Sequence, residues 1–313
     1  MRTEPHKRGG RRVIDSSLGL GLHELGNPKA KNHSFAFQLK YSKEQAEDIL
    51  SNLPRLVEKT NEKAPLRTNG FRLNRSAVLP KLTHEEDKWE RAIYERWGPG
   101  SSVDFTSNCK RIQTYQFPLQ RTREDGCWGS IDLLGIGAAF LPVPIELKKR
   151  KPEESPLRML VEVAAYGFAI RKVWPNLKPY WIEALGFPRS RSLQLPETLD
   201  KVTLICLAPE EYWCWCLGLL PGHKNLMFPI DAWPSFWRLI DGLGAWFDIH
   251  FAAVEGRWII KSELPEIFSA RLLDLRLITS SPAAANSEQE QPCKARKSLL
   301  NSYLAAVTSC NRS

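Results

Sequence analysis

The sequence predicts an α/β fold whose core runs helix, three strands, helix, strand, with extra helices and polar tails around it. Three observations carry that order. An apolar stripe at helical spacing, Trp89, Ala92, Ile93 and Trp97, opens the core. Strand-like segments then follow one another from Arg111 to Lys148 with no helical pattern between them. A second helical pattern starts at Ser155-Pro156, and the nearly unbroken apolar run from Lys201 to Leu207 follows it, as expected of a strand covered on both faces.

Each element has a local signal. Residues 1–40 are basic and Gly-rich and are expected to form a flexible arm. Residues 41–79 are expected to hold a short helix from Ser42 to Leu53, with Pro54 just beyond its end, and then a polar linker. Thr83 and Glu86 have capping-box spacing at the head of the first core helix, which Gly98-Pro99-Gly100 ends. Arg111–Gln120, Trp128–Gly135 and Val143–Lys148 read as strands, with Gly135 and Gly137 in the turn between the last two. Pro156 at the first helical position opens a helix to about Val173, with Leu160, Val163, Ala164, Phe168 and Ile170 on its apolar face. Beyond the fourth strand, Trp233–Phe247 reads as a helix and Asp248–Ile260 holds at least one more strand. The main domain is expected over residues 80–280. Residues 281–313 are expected to be a disordered tail with a short helix near Leu299–Val307.

Composition narrows the function classes. The chain has 313 residues, 42% hydrophobic, and a formal net charge of +9. A basic surface attracts polyanions, nucleic acid above all. No apolar stretch reaches the roughly 18–20 residues that span a bilayer, and the first twelve residues have no apolar core of a secretory signal. No membrane partner and a cytoplasmic location are expected. The 7 cysteines are odd in number and include no Cys-x-x-Cys pair, which argues against a disulfide framework and a zinc site. Cys214 and Cys216 would share a face if extended. The 6 histidines have no close ligand spacing. Walker A and Gly-x-Ser-x-Gly patterns are missing, and Gly19-Leu-Gly21 precedes no strand–helix unit.

The residues that point to chemistry are Asp132, in the run Gly-Ser-Ile-Asp-Leu-Leu, and Glu146-Leu-Lys148, fourteen residues on. On a strand Glu146 and Lys148 share a face, about 7 Å apart at Cα. Pairing of strands 128–135 and 143–148 as a hairpin brings Asp132 to the same place. Two carboxylates suit a hard divalent cation such as Mg²⁺ or Mn²⁺. Such an ion acidifies water and neutralises charge on a phosphate. The Lys148 ammonium suits the water or the transition state.

This block resembles the PD-(D/E)XK nuclease superfamily, the restriction-endonuclease-like fold, whose core has the same element order. The resemblance covers roughly residues 80–260 and is most specific from Asp132 to Tyr166. It implies Asp132, Glu146 and Lys148 as catalytic residues. It implies Asp132, Glu146 and the Leu147 backbone carbonyl as metal ligands, with Glu86 as a further carboxylate and Glu90 as the alternative. Ile131 stands where the family has proline. Glu162-Val-Ala-Ala-Tyr166 resembles the family's Gln-x-x-x-Tyr, with glutamate for glutamine. The implied activity is Mg²⁺- or Mn²⁺-dependent phosphodiester hydrolysis, in DNA more than RNA. The alternative is a nuclease-fold module that binds nucleic acid or a protein partner without turnover. A homodimer, or partner proteins in a larger DNA-processing assembly, would suit either.

Plainer readings stand beside these. Glu146 and Lys148 also fit an edge-strand ion pair, worth roughly 0–1 kcal/mol. Glu86 also fits a capping-box partner. Lys148 to Lys151 is a basic run in which Lys149, Arg150 and Lys151 suit phosphate contact or a solvated loop. Trp128 lies near Asp132 in sequence and is expected to touch substrate, together with Tyr166. Trp233 and Trp237, at helical spacing, are expected to face a core.

Overall fold

The computed structural model describes residues 19–26, 43–67, 70, 71, 73, 84–119, 128–150, 154–186, 193–218, 228–258 and 263–280. Its elements in chain order are α1 (Leu22–Gly26), α2 (Lys43–Ser51), α3 (Leu53–Lys63), α4 (Glu85–Trp97), β1 (Arg111–Pro118), β2 (Ser130–Ile136), β3 (Pro142–Leu147), α5 (Pro156–Ala184), β4 (Val202–Pro209), α6 (Glu210–Cys216), α7 (Trp233–Leu243), β5 (Phe247–Arg257), β6 (Glu266–Leu273) and α8 (Leu275–Ser280). The fold is α/β, with a mixed sheet of 6 strands in the order β1 to β6. β1, β2 and β3 are antiparallel neighbours, β3, β4 and β5 run parallel, and β6 returns antiparallel at the edge.

The alternation along the strands separates two faces. Val143, Ile145 and Leu147 of β3 join Leu133, Ile205 and Leu207 under the α4 stripe of Trp89, Ala92, Ile93 and Trp97. Leu134, Leu204 and Cys206 turn to the other face and pack beneath α5. Each large apolar side chain so buried contributes about 1.5–3 kcal/mol. Glu146 and Lys148 therefore lie on the α5 side of β3, opposite the residues that anchor α4.

Several elements differ from expectation for identifiable reasons. The linker expected after Leu53 begins with a helix, α3. Pro54 sits in the first turn of α3, where its missing N–H costs nothing, and Leu53, Leu56, Val57 and Thr60 are buried. The N-terminal arm is anchored where described. Leu20, Leu22 and Leu25 are buried, and the Leu22 N–H donates to Thr60 Oγ1 at 2.7 Å. α5 does not stop at Val173 but runs through Pro175 and Pro179, because Trp174, Leu177 and Trp181 keep its apolar face buried. The indole N–H groups of Trp174 and Trp181 are each satisfied by a loop carbonyl, of Pro196 and Phe140 respectively. Cys214 and Cys216 lie on helix α6, so they do not share a strand face. β6 lies beyond the segment in which another strand was expected. Thr83, Lys151 and the 299–307 segment fall outside the described residues. Among the described residues no helix is long and apolar enough to cross a membrane.

Gly135 belongs to β2 rather than to the turn. A Cβ there would overlap Cys109 Sγ and stand 3.3 Å from the Arg111 carbonyl oxygen. Gly135→Ala is expected to cost about 1–3 kcal/mol. A double variant with Cys109→Ala should be less destabilised than the two singles added together, as read from urea unfolding.

His23 stacks on Trp128, with ring centroids 4.2 Å apart. Burial pushes its pKa down to about 4, against a smaller opposing pull from Glu24. The folded state thus holds a neutral imidazole while the unfolded chain takes up a proton below about pH 6.5. Stability from this group is full above that pH and is lost as pH falls toward 4. Between pH 7 and pH 5 the wild type should lose about 2 kcal/mol more than His23→Phe does, measured by urea unfolding at both pH values.

Candidate active site

The site forms where β2 and β3 part. Their ladder runs from Ile136↔Pro142 to Leu133↔Ile145. The next pair would set Asp132 against Glu146, but backbone pairing ends before it. The Asp132 side chain takes over as acceptor, and its Oδ2 receives the Leu147 N–H at 2.8 Å. The hairpin expected from the sequence thus exists, and its open end juxtaposes the two acids. β3 continues on the side of β4, where the Lys148 N–H donates to the Leu207 carbonyl at 3.0 Å.

Lys148 occupies the middle of an acidic cluster. Its Nζ lies 2.6 Å from Glu146 Oε1, 2.7 Å from Glu154 Oε2 and 2.6 Å from Glu162 Oε2. Arg158 holds the same glutamates from α5, at 2.8 Å to Glu154 Oε1 and 3.1 Å to Glu162 Oε1. Ser155 caps the helix by accepting the Arg158 N–H at 3.2 Å. Glu146 and Lys148 are only 4% and 6% exposed. The plain reading of an exposed edge-strand ion pair therefore does not apply, because β3 is interior to the sheet and the pair is buried.

α4 brings two more carboxylates. The Glu86 Oε1 accepts the Lys149 N–H at 3.2 Å. Glu86 thus reaches the end of β3, and Thr83, the partner expected for it in a capping box, lies outside the described residues. Glu90 is 1% exposed. Both its oxygens accept from Gln116 Nε2, at 2.8 and 2.7 Å. Gln116 meets this geometry with a left-handed backbone, at φ 47°.

The charges shift one another. Burial raises the Asp132 carboxyl well above its usual range, and Glu90 adds to the shift. Burial and then Asp132 do the same to Glu146. Burial pushes Glu90 up to about 8, opposed by the Gln116 hydrogen bonds and helped by Asp87, Glu86 and Glu146. Glu86 also rises, chiefly through burial. Burial opposes charge on Lys148, but Glu146, Glu162, Glu154 and Glu86 together outweigh it and hold the ammonium charged. Burial would raise Glu162 too, yet Lys148 and Arg158 hold it below its usual range.

Among the described residues no three of His, Cys, Asp and Glu are arranged to hold a metal ion. The physical reason is visible: three carboxylates converge on the Lys148 ammonium. Glu146 Oε2 is nevertheless buried with no hydrogen-bond partner.

The other expected residues are placed unevenly. Tyr166, one turn after Glu162, has its hydroxyl 3.8 Å from where a Gly129 Cβ would stand. Burial, then the charges of Glu146, Glu162 and Asp132, raise its pKa well above the usual value. Arg150 pairs with Glu85 at 2.9 Å. Trp128 corrects the expectation of a substrate contact. It is 1% exposed, its Nε1–H donates to the Lys63 carbonyl at 2.9 Å, and His23 covers its face. Trp233 is buried and stacks on Trp237, with centroids 5.7 Å apart. Sequence reasoning missed Glu154, Arg158 and the part Glu162 plays. Their i, i+4 spacing, Glu154-x₃-Arg158-x₃-Glu162, was the available signal.

Lys148→Met would leave the buried Glu146 and the partly buried Glu154 and Glu162 facing no ammonium. It should cost about 3–5 kcal/mol at pH 7. Glu146, already raised by burial and by Asp132, binds a proton in the folded state as pH falls, so the loss should be smaller at pH 5. Urea unfolding of both proteins at the two pH values reads this.

Comparison with protein-family models, with curated proteins and with solved structures gave no match to this chain.

Proposed function

We propose that this protein is a divalent-metal-dependent nuclease of the PD-(D/E)XK type, hydrolysing phosphodiester bonds, in DNA more than RNA on family grounds. The observation that carries the reading is the fork between β2 and β3. There Asp132 and Glu146 are buried, Asp132 raises the Glu146 pKa while Glu90 raises that of Asp132, and Lys148 stands two residues on. The run α4, β1, β2, β3, α5, β4 has the order of the restriction-endonuclease-like core.

The donor set fits a hard cation. Both acids offer oxygen, and Glu146 Oε2 is buried without a partner. Repulsion among the clustered acids is the condition that a cation relieves. Asp132, Glu146 and the Leu147 carbonyl would hold Mg²⁺ or Mn²⁺, with Glu86 as the nearby fourth oxygen donor and Glu90 held on Gln116. Such an ion supplies Lewis-acid chemistry, acidifying water and screening phosphate charge. Lys148 presents a fixed positive charge to the scissile phosphate as negative charge grows on it. Glu162 and Glu154, themselves held by Arg158, fix that ammonium in position. Lys149, Arg150 and Tyr166 would contact the substrate phosphates.

A second reading is a nuclease-fold module that binds without turnover. The observation in its favour is that Glu146 Oε1 is committed to Lys148 at 2.6 Å. Steep salt dependence of DNA binding with no cleavage under any metal would favour it.

The test is cleavage of supercoiled, linear and single-stranded DNA by wild type, Asp132→Asn and Lys148→Ala, with Mg²⁺, Mn²⁺ or EDTA. Cleavage should need metal and should fall at least about 100-fold in each variant. Equal cleavage by all three would remove the assignment.

A further inference from the structure

Trp258 follows β5 directly, at the sheet end where Lys148 leaves β3, because β3, β4 and β5 run parallel. The residue is partly exposed, with its indole Nε1 buried. The edge of Trp89 fixes it at 85° and 6.5 Å. Trp89 is itself buried beneath α4, so the ring rests on the core. Two cations reach the ring: Lys88 Nζ at 5.5 Å and Arg150 Cζ at 5.7 Å from the centroid. The backbone between Lys148 and Arg150 is tied down as well, since the Lys149 N–H donates to Glu86 at 3.2 Å. The aromatic surface therefore adjoins the acidic site, two residues beyond its lysine.

This combination suits one class of ligand. The Arg150 side chain is 40% exposed and shares its charge with Glu85 at 2.9 Å. Cation–π contact at exposed sites is weak, so packing alone gives little reason to gather two cations on one partly exposed ring. An unpaired nucleotide uses all three groups at once. Its base has a π-face for the indole, and its flanking phosphates have charge for Lys88 and Arg150. A duplex offers phosphates and no free base face.

We propose that Trp258, with Lys88 and Arg150, is a binding platform for single-stranded nucleic acid at the mouth of the site. An unpaired base stacks on Trp258 and the two cations take the adjoining phosphates. The substrate class that follows is a strand that is single or locally unpaired beside the scissile bond. The proposal rests on the reading of the neighbouring acids as a phosphodiester site.

Fluorescence anisotropy of a labelled oligothymidylate, about 16 nucleotides long, tests it on the full chain in EDTA, where no cleavage interferes. Trp258→Ala should weaken binding roughly 5- to 150-fold, the worth of one base–aromatic stack. Trp258→Phe, which keeps an aromatic face, should retain most of the affinity. Binding of a duplex of equal length should be unchanged by Trp258→Ala. Lys88→Ala and Arg150→Ala should each lower the slope of log affinity against log salt by about 0.7. Wild-type affinity for the oligothymidylate in Trp258→Ala overturns the platform alone. Equal losses for single strand and duplex, with Trp258→Phe no better than alanine, also overturn it. Failure of the wild type to bind either nucleic acid overturns both the platform and the nuclease reading.

Discussion

The Lys148 ammonium, held by Glu146, Glu154 and Glu162, is the interaction around which the rest of the structure is arranged. It joins the end of β3 to the start of α5, and the ammonium and Glu146 are almost wholly removed from water. An isolated charge in such a place costs several kcal/mol, and a second carboxylate raises the cost. One ammonium among three carboxylates, with Arg158 shared by two of them, lets the acids stay packed beneath the helix. The same arrangement fixes the helix start, since Glu154, Arg158 and Glu162 follow one another at single-turn spacing. Removal of the lysine would therefore loosen a junction between sheet and helix as well as a charge.

The fork between β2 and β3 supplies the second constraint. A sheet continued by one more pair would have covered Asp132 and Glu146 with ordinary ladder bonds. Here the Asp132 carboxylate replaces a backbone acceptor, and β3 passes from its antiparallel neighbour to its parallel one. Helix α4 then closes over the opposite face and sends Glu86 to the backbone just past Lys148. The acids are thus concentrated by topology, and burial keeps their charges strongly coupled. A concentration of acids beside one fixed lysine is useful for cation and phosphate chemistry, and it is costly for packing alone.

Much of this was legible in the sequence because it rests on local pattern. The alternation at Ile145-Glu146-Leu147-Lys148 placed acid and lysine on one face, and the structure has them there. Ser155-Pro156 announced α5, and the apolar run from Lys201 announced β4. The rest depends on long-range contacts. Trp128 sits close to Asp132 along the chain, yet His23 and the Lys63 carbonyl, far away in sequence, draw it into the core. Helical continuation through Pro175 and Pro179 reflects burial of Trp174 and Trp181, which overrides local propensity. The fate of Glu86 could not be read from its spacing after Thr83, because its partner is a backbone N–H on another element. Trp258 carried no motif of its own. Its neighbours Lys88 and Arg150 come from α4 and from the segment after β3.

The central claim is that Asp132 and Glu146 together bind a hard divalent cation. Isothermal titration calorimetry of the full chain with Mn²⁺ measures it most directly, run in two buffers of different ionisation enthalpy. Carboxyls raised by burial and by neighbouring acids should release protons as the ion binds. The wild type should bind Mn²⁺ with net proton release, and Asp132→Asn and Glu146→Gln should each lose both. Absence of Mn²⁺ binding in the wild type, or binding untouched by either substitution, would contradict it.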